Sequence, residues 1–370
     1  MTKKIPFVNL ERSNKKYKKK YLKILNKIID ESNFIKGINN IKFEKKINNI
    51  FKCKYSLAVN SGTDALIIAI KSLNLKKNDE IIMTSNTWIS AAYAIALNNA
   101  KPVFVDINEN NFQMNIELFQ KKINKRTKAC IVTHLYGYPN EMDRIVKICK
   151  KYNVKIIEDL AQSHLATYKK KLVGTFGDIS ILSFYPSKNL GALGDGGAII
   201  TNNYKIYNNC KIYANYGSLN FKDPNHKSIG INSRMDEIQA AFLIEKLKNL
   251  KKDTNERIKI AKKYNFYCDK LKINRIETRK DFKNVYHIYP ILINNRNKIK
   301  KKLEKQNIYT QIHYKIPIHL QTAFKYLKYQ KNSLPVTEKI SNKILSLPFY
   351  VGIKNQEIKR IFKSIEKVLK

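Results

Sequence analysis

The segment Ser183-Phe-Tyr-Pro-Ser-Lys-Asn-Leu-Gly-Ala-Leu-Gly-Asp-Gly-Gly197 places one lysine, Lys188, among serine, proline and glycine residues, at the end of the apolar run Ile179 to Phe184. Such a run predicts a buried strand, so Lys188 would follow a strand end. Most other lysines lie in Lys/Asn/Ile-rich helical stretches such as 15–27, and a solvated surface lysine remains the competing interpretation. Desolvated lysines are the ones that form Schiff bases, which makes Lys188 a candidate for chemistry.

On the N-terminal side of this segment, short apolar runs alternate with amphipathic stretches. The predicted strands are 56–59, 80–83, 102–106, 129–133, 154–158 and 179–184, and the predicted helices are 63–73, 89–97 and 142–152. Strands that are apolar throughout and alternate with helices predict an α/β fold whose mostly parallel sheet is covered by helices on both faces. In such a sheet, ligands bind at the carboxyl ends of the strands.

On the C-terminal side, residues 235–270 predict one long amphipathic helix, and shorter mixed elements follow, including a predicted strand from Val285 to Ile293. This change of pattern predicts a domain boundary near residue 250. We expect a large domain of residues 1–250, with an N-terminal helical segment, and a smaller C-terminal α+β domain of residues 251–370.

The charge balance is strongly basic, with 71 Lys+Arg against 29 Asp+Glu in 370 residues and a formal net charge of +42. A nucleic-acid-binding protein is therefore a remote alternative. However, the lysines are spread through the whole chain together with asparagine and isoleucine, and no nucleic-acid motif is present. The charge pattern favours a general compositional bias and a positive field that attracts anionic small molecules.

The sequence also disfavours a membrane protein, a secreted protein and a protein held by disulfides or metal ions. The longest apolar candidate, Trp88 to Leu97, is far shorter than the roughly 18 residues of a membrane helix. The N-terminus lacks the apolar core of a secretory signal, so we expect a cytoplasmic protein. Five scattered cysteines without a CxxC pair, and six histidines without metal-ligand spacing, predict neither disulfides nor a metal site.

Three polar features at predicted strand ends suit a phosphorylated aromatic cofactor, and each has an ordinary alternative. Gly62 and Thr63, in Asn60-Ser-Gly-Thr-Asp64, suit a phosphate cradle at a helix start or a plain helix N-cap. Asp159 suits a partner for a protonated ring nitrogen or a helix cap. Trp88, the single tryptophan, suits a flat ring beside a planar cofactor or a core residue.

Five motifs then occur in order: Asn-Ser-Gly-Thr-Asp-Ala-Leu66, Thr-His-Leu-Tyr-Gly137, Glu-Asp-Leu-Ala-Gln-Ser-His164, the Lys188 segment, and Asn-Ser-Arg-Met-Asp-Glu-Ile-Gln-Ala-Ala241. Together they resemble the DegT/StrS family of nucleotide-sugar aminotransferases over nearly the whole chain. The resemblance implies a fold-type I aminotransferase that uses pyridoxal 5'-phosphate (PLP), cycling through pyridoxamine phosphate (PMP).

The resemblance also implies roles for individual residues. Lys188 would link covalently to the cofactor, Asp159 would contact the pyridine nitrogen, Gln162 would lie by the phenolic oxygen, and Trp88 would stack on the ring. Gly62, Thr63 and Ser183 match phosphate-binding positions. Asn232 matches an asparagine that reaches the same phosphate across a dimer interface, which implies a homodimer with shared active sites.

The implied reaction moves an amino group from L-glutamate to a nucleotide-linked keto-sugar, giving 2-oxoglutarate and an amino sugar. The Lys188 segment is more similar to enzymes that aminate carbon 3 of a dTDP-3-keto-6-deoxyhexose, giving a dTDP-3-amino-3,6-dideoxyhexose. The alternative is a carbon 4 aminotransferase acting on a UDP- or dTDP-4-keto sugar. The usual destination implied is a surface glycan, such as lipopolysaccharide O-antigen or capsule.

Substrate contacts are expected from Tyr185 and from the segment Ile312-His-Tyr-Lys-Ile-Pro-Ile-His319, which resembles the part of carbon 3 enzymes near the sugar. His313, Tyr314 and His319 are the candidates there, against the alternative of a loop whose histidines cap or pack. The loop 216–226 departs from the family pattern, so contacts from Phe221 or Lys222 are not predicted. A dehydratase relative would carry histidine in place of Lys188.

Overall fold

The computed structural model describes residues 3–219 and 224–369. Its strands are β1 Tyr55–Val59, β2 Glu80–Thr84, β3 Lys101–Val105, β4 Thr127–Thr133, β5 Lys155–Asp159, β6 Thr167–Tyr168, β7 Lys171–Leu172, β8 Ile179–Ser183, β9 Gly197–Thr201, β10 Asn274–Arg275, β11 Phe282–Lys283, β12 Tyr289–Leu292 and β13 Ile344–Leu347. Its α-helices are α1 Leu10–Asn14, α2 Lys18–Glu31, α3 Ile38–Phe51, α4 Gly62–Lys71, α5 Ser90–Leu97, α6 Ile116–Lys122, α7 Met142–Tyr152, α8 Tyr204–Tyr213, α9 Glu237–Leu247, α10 Leu250–Lys270, α11 Arg296–Glu304, α12 Pro335–Lys343 and α13 Asn355–Leu369.

A seven-stranded sheet with the order β1-β9-β8-β5-β4-β2-β3 forms the centre of the molecule. Strands β3, β2, β4, β5 and β8 run parallel to one another, whereas β9 is antiparallel to both β8 and β1. The predicted α/β fold with a mostly parallel sheet is therefore confirmed. The carboxyl ends of β4, β5 and β8 meet at one edge of the sheet, which is where a ligand site is expected.

Both faces of this sheet are buried, which explains why its strands are apolar throughout. Consecutive residues contribute to opposite cores: Ile156 packs with one cluster of buried side chains and Ile157 with another. On one face, Phe43 of α3 and Leu243 of α9 join the first cluster. On the other, Ile68 of α4 joins the second. The helices thus hold the sheet rigidly beneath the strand ends.

The prediction of one helix over residues 235–270 was wrong, because two helices, α9 and α10, meet at Lys248 and Asn249. Helix α9 buries Leu243 against the large sheet, and Leu250 at the start of α10 joins the same core, whereas Ile260 further along α10 packs with the C-terminal elements. Between the two helices, the Asn249 amide donates to the Lys246 carbonyl at 3.0 Å in a turn that ends α9. Amphipathic periodicity on both sides hid this break in the sequence.

The predicted strand Val285–Ile293 was also too long, since only Tyr289–Leu292 forms β12. The preceding residues bond elsewhere: the Val285 and His287 amides donate to the carbonyls of Gly137 and Tyr136, at 3.0 and 2.9 Å. The first half of the segment is therefore hydrogen-bonded to the loop that follows β4. The second half, β12, pairs with β10 and β13 in a separate three-stranded sheet.

The C-terminal sheet packs with α10, α11 and α13 around a third core that includes Ile291, Leu345 and Phe362. A further small sheet is formed by β11, β6 and β7. The domain boundary near residue 250 stays a prediction. Within residues 3–219 and 224–369, no helix combines the length and the apolar character needed to cross a membrane.

The start of α3 is held by a residue from a distant helix. Its N-cap residue, Gly37, has no capping side chain, and the buried carboxylate of Glu237 instead accepts hydrogen bonds from the backbone amides of Gly37, Asn39 and Asn40 and from the Asn40 side chain. A Cβ atom at Gly37 would lie 2.7 Å from the Glu237 carboxyl. A side chain at residue 37 would therefore displace the carboxylate from the amides that it caps.

Candidate active site

A cavity of about 470 Å³ opens at the carboxyl ends of β4, β5 and β8. Ten residues predicted for the site line it, namely Gly62, Thr63, Trp88, Asp159, Gln162, Ser183, Tyr185, Lys188, His313 and Tyr314. Two predicted residues, Asn232 and His319, do not. Residues far apart in the sequence are thus brought to one cavity.

Lys188 lies in a tight turn directly after β8. Its backbone amide donates to the Tyr185 carbonyl at 2.8 Å, and the Ala192 amide donates to the Phe184 carbonyl at 2.7 Å, so the turn is fixed on both sides. Burial lowers the pKa of Lys188 to about 8, and the Asp159 carboxylate opposes this by raising it. A solvated surface lysine would not have such a pKa, and a sizeable fraction of this amine is unprotonated and nucleophilic near neutral pH.

Asp159 is the last residue of β5, and its carboxylate lies in the cavity. One carboxylate oxygen accepts from the Ala161 amide at 2.9 Å and the other from the Thr133 hydroxyl at 3.3 Å. Burial raises the pKa of Asp159, and these hydrogen bonds oppose the shift. Residues 160–163 form a turn, so Asp159 does not cap a helix.

Behind Asp159, a buried pair of residues fixes the ends of β4 and β5. The Glu158 carboxylate accepts from the amides of Gly174, Phe176 and Gly177 and lies 3.1 Å from His134 Nε2. Because His134 Nδ1 accepts a hydrogen bond from the Asn140 amide, the ring proton is on Nε2 and donates to Glu158. These bonds hold the pKa of Glu158 low despite burial. Sequence reasoning missed this pair, although both residues lie within the quoted motifs.

The start of α4 faces the cavity opposite Asp159. The Ser61 hydroxyl caps this helix by accepting from the Asp64 amide at 3.0 Å, so the N-cap interpretation is correct for Ser61. Gly62 and Thr63 begin the helix and line the cavity. A Cβ atom at Gly62 would lie 2.6 Å from the Ser183 Cβ, so only glycine allows β8 to approach this closely. Backbone amides and hydroxyls converge here in a form that suits a phosphate.

Gln162 is held in one orientation by two hydrogen bonds. Its Oε1 accepts from the Tyr136 amide at 2.7 Å, and its Nε2 donates to the Tyr314 phenol oxygen at 3.1 Å. Tyr136 in turn donates its hydroxyl to the His313 carbonyl at 2.5 Å. The segment at 313–314, which comes from the C-terminal part of the chain, is thereby tied to the ends of β4 and β5.

Trp88 is 59% exposed and lines the cavity, so it is not a core residue. Its ring lies 5.9 Å from that of Tyr314 at an angle of 45°. Tyr185 is similarly exposed, at 55%. Two large aromatic side chains therefore line the cavity while more than half of each remains exposed to solvent in the single chain.

The two predicted residues outside the cavity have different surroundings. Asn232 is exposed and forms an isolated bridge with Asn215. His319 is buried, with Nδ1 at 2.8 Å from the Ser85 hydroxyl and Nε2 at 3.1 Å from the Glu338 carboxylate. Both ring nitrogens of His319 are therefore hydrogen-bonded within the protein, which agrees with the alternative of a histidine that caps or packs within a loop. Phe221 and Lys222 lie outside the described residues.

Sequence reasoning also missed two cavity residues from the C-terminal half, Arg257 and His287. The His287 Nδ1 lies 3.2 Å from Asn189 Oδ1, and the Asn189 amide nitrogen donates to the Val285 carbonyl at 3.2 Å. Asn189 therefore presents an acceptor, which places the His287 proton on Nδ1. Burial, together with the Lys188 and Arg257 cations, keeps the pKa of His287 well below its usual value.

Comparison with known proteins agrees with this geometry. The family model described as the DegT/DnrJ/EryC1/StrS aminotransferase family matches residues 15–366. The chain belongs to this family. A dTDP-3-amino-3,6-dideoxy-α-D-galactopyranose transaminase from Aneurinibacillus thermoaerophilus is 38% identical over 363 residues, covering 98% of this chain and 99% of that protein.

Another DegT/DnrJ/EryC1/StrS relative, a UDP-N-acetyl-3-dehydro-α-D-glucosamine 3-aminotransferase from Acidithiobacillus ferrooxidans, is 33% identical over 365 residues, covering 99% of this chain and 98% of that protein. The crystal structure of NtdA from Bacillus subtilis with bound cofactor PMP has a TM-score of 0.93 and 30% identity, covering 100% of this chain and 86% of that one. The protein is therefore a PLP-dependent sugar aminotransferase with the predicted fold-type I architecture.

The described residues of this aminotransferase fit the cofactor. A largely buried lysine, a carboxylate, and a set of amides and hydroxyls at a helix start face one cavity, matching the aldehyde, ring nitrogen and phosphate of PLP. The contact between Gly62 and Ser183 leaves no room for a side chain where the phosphate cradle would form. When bound, PLP supplies an electron sink that stabilises negative charge at the carbon undergoing amino transfer.

Proposed function

We propose that this enzyme transfers an amino group from L-glutamate to carbon 3 of a dTDP-3-keto-6-deoxyhexose. The observation that carries this proposal is the joint presence of Lys188 and Asp159 in one cavity, with the pKa of the lysine lowered to about 8. The similarity to a dTDP-3-amino-3,6-dideoxygalactose transaminase supports the choice of substrate. The products would be 2-oxoglutarate and a dTDP-3-amino-3,6-dideoxyhexose.

Within this proposal, Lys188 has two tasks at its Nζ atom. As an unprotonated amine it would hold the cofactor through its aldehyde carbon, with loss of water, and as a free amine it would accept and return the proton of the carbon being aminated. The lowered pKa suits both tasks, since the amine accepts and returns protons near neutral pH. The fixed turn around Lys188 keeps the amine aimed into the cavity.

Asp159 would hold the proton on the ring nitrogen, because its carboxylate is fixed by two hydrogen bonds and lies in a buried, weakly screened position. Gly62, Thr63 and Ser183 would bind the phosphate, and Gln162 would lie by the phenolic oxygen. Trp88 would pack on the ring. Each role rests on the position of the residue around one cavity.

For the sugar, the proposal assigns Tyr185, His313 and Tyr314, which lie on the cavity wall. Phe7 stacks on the His313 ring at 5.4 Å, and Ser346 lies 3.0 Å from His313 Nδ1, so this histidine is held firmly. His319 positions the same segment through Ser85, since its amide also donates to the Ser85 hydroxyl at 3.0 Å. His319 lies outside the cavity, so the proposal gives it no direct contact with the sugar.

The proposal also includes a homodimer in which Asn232 of one chain reaches the phosphate site of the other. Asn232 lies outside the cavity of its own chain and is exposed. Exposed apolar side chains near the N-terminal helices, including Phe34, Ile35, Ile38 and Ile41, offer surface for such an association. Sedimentation together with an Asn232→Ala variant of weaker cofactor affinity would test this arrangement.

The decisive experiment joins spectroscopy with an acceptor screen. The PLP-loaded protein should lose its visible absorption band on addition of L-glutamate and gain the near-ultraviolet band of PMP. The PMP-loaded protein is then mixed with dTDP-3-keto sugars of gluco and galacto configuration, and with UDP- and dTDP-4-keto sugars, and the products are identified by mass spectrometry and NMR. Return of the visible band only with a 4-keto sugar would replace carbon 3 by carbon 4.

A further inference from the structure

Arg257 is a buried cation that none of the roles above uses. It is 8% exposed and lines the same cavity as Lys188. Its Nη1 donates to the carbonyls of Tyr286 and His287, at 3.1 and 3.4 Å. Burial lowers the pKa of Arg257 to about 10, so the side chain remains charged at neutral pH.

No carboxylate among the described residues forms an ion pair with this guanidinium. The acidic residues that influence it, Asp253 and Glu256, are engaged elsewhere. Asp253 pairs with Lys16 at 2.9 Å, and Glu256 accepts from the Gly352 amide at 2.7 Å. A buried charge without a partner is costly, so a site with such a charge gains most from an anionic ligand.

The surroundings of Arg257 indicate the shape of that ligand. The Arg257 Nη1 donates to the His287 carbonyl at 3.4 Å, and the pKa of His287 is lowered by burial and by both the Lys188 and Arg257 cations. The adjoining wall is apolar: Arg257 lies 5.8 Å from the Phe349 ring centroid, and Ile288 and Phe7 also line the cavity. The site therefore suits an amine-bearing carbon at Lys188, a short apolar chain, and an anionic group at Arg257.

We propose that Arg257 binds the side-chain carboxylate of a dicarboxylic amino donor, and so selects glutamate over neutral amino acids. This inference rests on the proposed function, because it concerns the donor of that reaction. The diphosphate of the nucleotide-sugar is a poorer occupant, since it continues into a nucleoside that needs an open path. Arg257 instead is buried against the Phe349 ring. A planar guanidinium also matches a carboxylate in geometry.

The test measures binding, not turnover. The PLP-loaded protein is titrated calorimetrically with glutarate and with pentanoate, which have equal carbon counts but differ by one carboxylate, and neither carries an amine that could react. We expect the wild type to bind glutarate about tenfold to a hundredfold more tightly than pentanoate, as a charge-assisted hydrogen bond implies. Arg257→Gln should abolish this preference, whereas its affinity for dTDP should be unchanged.

Arg296→Gln is the matched control. Arg296 is also buried and donates from Nη1 to two backbone carbonyls, of Ser341 and Ile344, but it does not line the cavity. This variant should keep the preference for glutarate. If Arg257→Gln does not fold, Arg257→Lys serves instead, and it should reduce the preference because an ammonium lacks the planar fork.

The inference is overturned if the wild type does not prefer glutarate or if Arg257→Gln keeps the preference. It is also overturned if Arg296→Gln loses the preference equally, or if Arg257→Gln loses affinity for dTDP and not for glutarate. These outcomes are separate from those of the proposed function. Sugar transamination from L-glutamate without a preference for glutarate over pentanoate would refute only the role of Arg257. A preference for glutarate without amination of any keto-sugar would refute only the proposed function.

Discussion

The Nε2 atom of Gln162 donates a hydrogen bond of 3.1 Å to the phenol oxygen of Tyr314. The bond joins the turn after β5 to a segment more than 150 residues later in the chain, and Gln162 Oε1 is occupied by the Tyr136 amide. A single amide side chain therefore sets the position of the proposed sugar-binding segment relative to the proposed cofactor site.

We expect Tyr314→Phe to lower the free energy of unfolding by about 1 kcal/mol, and Gln162→Leu by about 2 kcal/mol, because the second change also leaves the buried Tyr136 amide without an acceptor. Urea denaturation of both variants and of the double variant gives the coupling between them, which should be about 1 kcal/mol. Tyr326→Phe is the control, since that phenol is 60% exposed. Fully additive losses would contradict the bond.

Capture of PLP by the cofactor-free protein should accelerate as the pH rises through about 8. The pKa of Lys188 is lowered to about 8 by burial, so the unprotonated amine becomes the major form above that pH. Stopped-flow absorbance of the visible band between pH 6.5 and 9.5 measures this directly. A rate that keeps rising toward the ordinary lysine pKa of about 10.4 would show that the amine is not desolvated.

A second lysine provides the control for this titration. Lys246 is half-buried, with a pKa that burial lowers to about 8, but it donates to the Gly191 carbonyl at 2.6 Å and does not line the cavity. Lys246→Ala should keep the visible band, whereas Lys188→Ala should lose it together with transamination while the fold remains. Turnover by Lys188→Ala within tenfold of the wild type would remove Lys188 from its role.

Asp159→Asn should keep PLP bound but slow transamination by about a hundredfold to a thousandfold, because a neutral amide cannot stabilise a protonated ring nitrogen. The amide retains an oxygen for the Ala161 hydrogen bond, so the turn should remain intact. Single-turnover kinetics with L-glutamate, beside the absorption spectrum, separate cofactor binding from rate. Kinetics equal to the wild type would mean that Asp159 does not contact the ring nitrogen.

Glu237→Ala should destabilise the protein by about 3 kcal/mol, since three backbone amides at the start of α3 and the Asn40 side chain lose a charged acceptor. Glu117→Ala is the matched control. Glu117 also lies in the first turn of a helix, but it is exposed and pairs with Arg144 on the surface, so its loss should cost under about 1 kcal/mol. Equal losses by urea denaturation would refute the capping role.

The sequence predicted those parts of the site that depend on local pattern. Lys188, Asp159 and Gly62 each follow or precede an apolar strand, and strand ends in a parallel sheet converge on one edge. Arg257 and His287 could not be predicted in this way. Arg257 is one of many cations in an amphipathic helix, and nothing in its neighbours distinguishes a residue that faces a cavity from one that faces solvent.

The predicted lengths of one helix and one strand were wrong for a related reason. Periodicity indicates that a residue is buried but not which core buries it or where a turn interrupts the helix, so the break at Lys248 and Asn249 left no signal. Likewise, Val285 and His287 have the apolar or aromatic character of strand residues, yet their amides bond to the loop at Tyr136 and Gly137. Only the three-dimensional arrangement separates these partners.

Residues 285–287 are hydrogen-bonded to the loop after β4, whereas residues 289–292 pair with β13, and this arrangement limits which changes of length the chain tolerates in evolution. His287 is fixed to the loop after β4, and two residues later Tyr289 is already paired with Leu347. An insertion or deletion of one residue between them would turn every side chain of β12 to the opposite face of its sheet or move His287 from the cavity wall. We therefore expect that selection removes insertions and deletions at residue 288 from sequences that descend from this one.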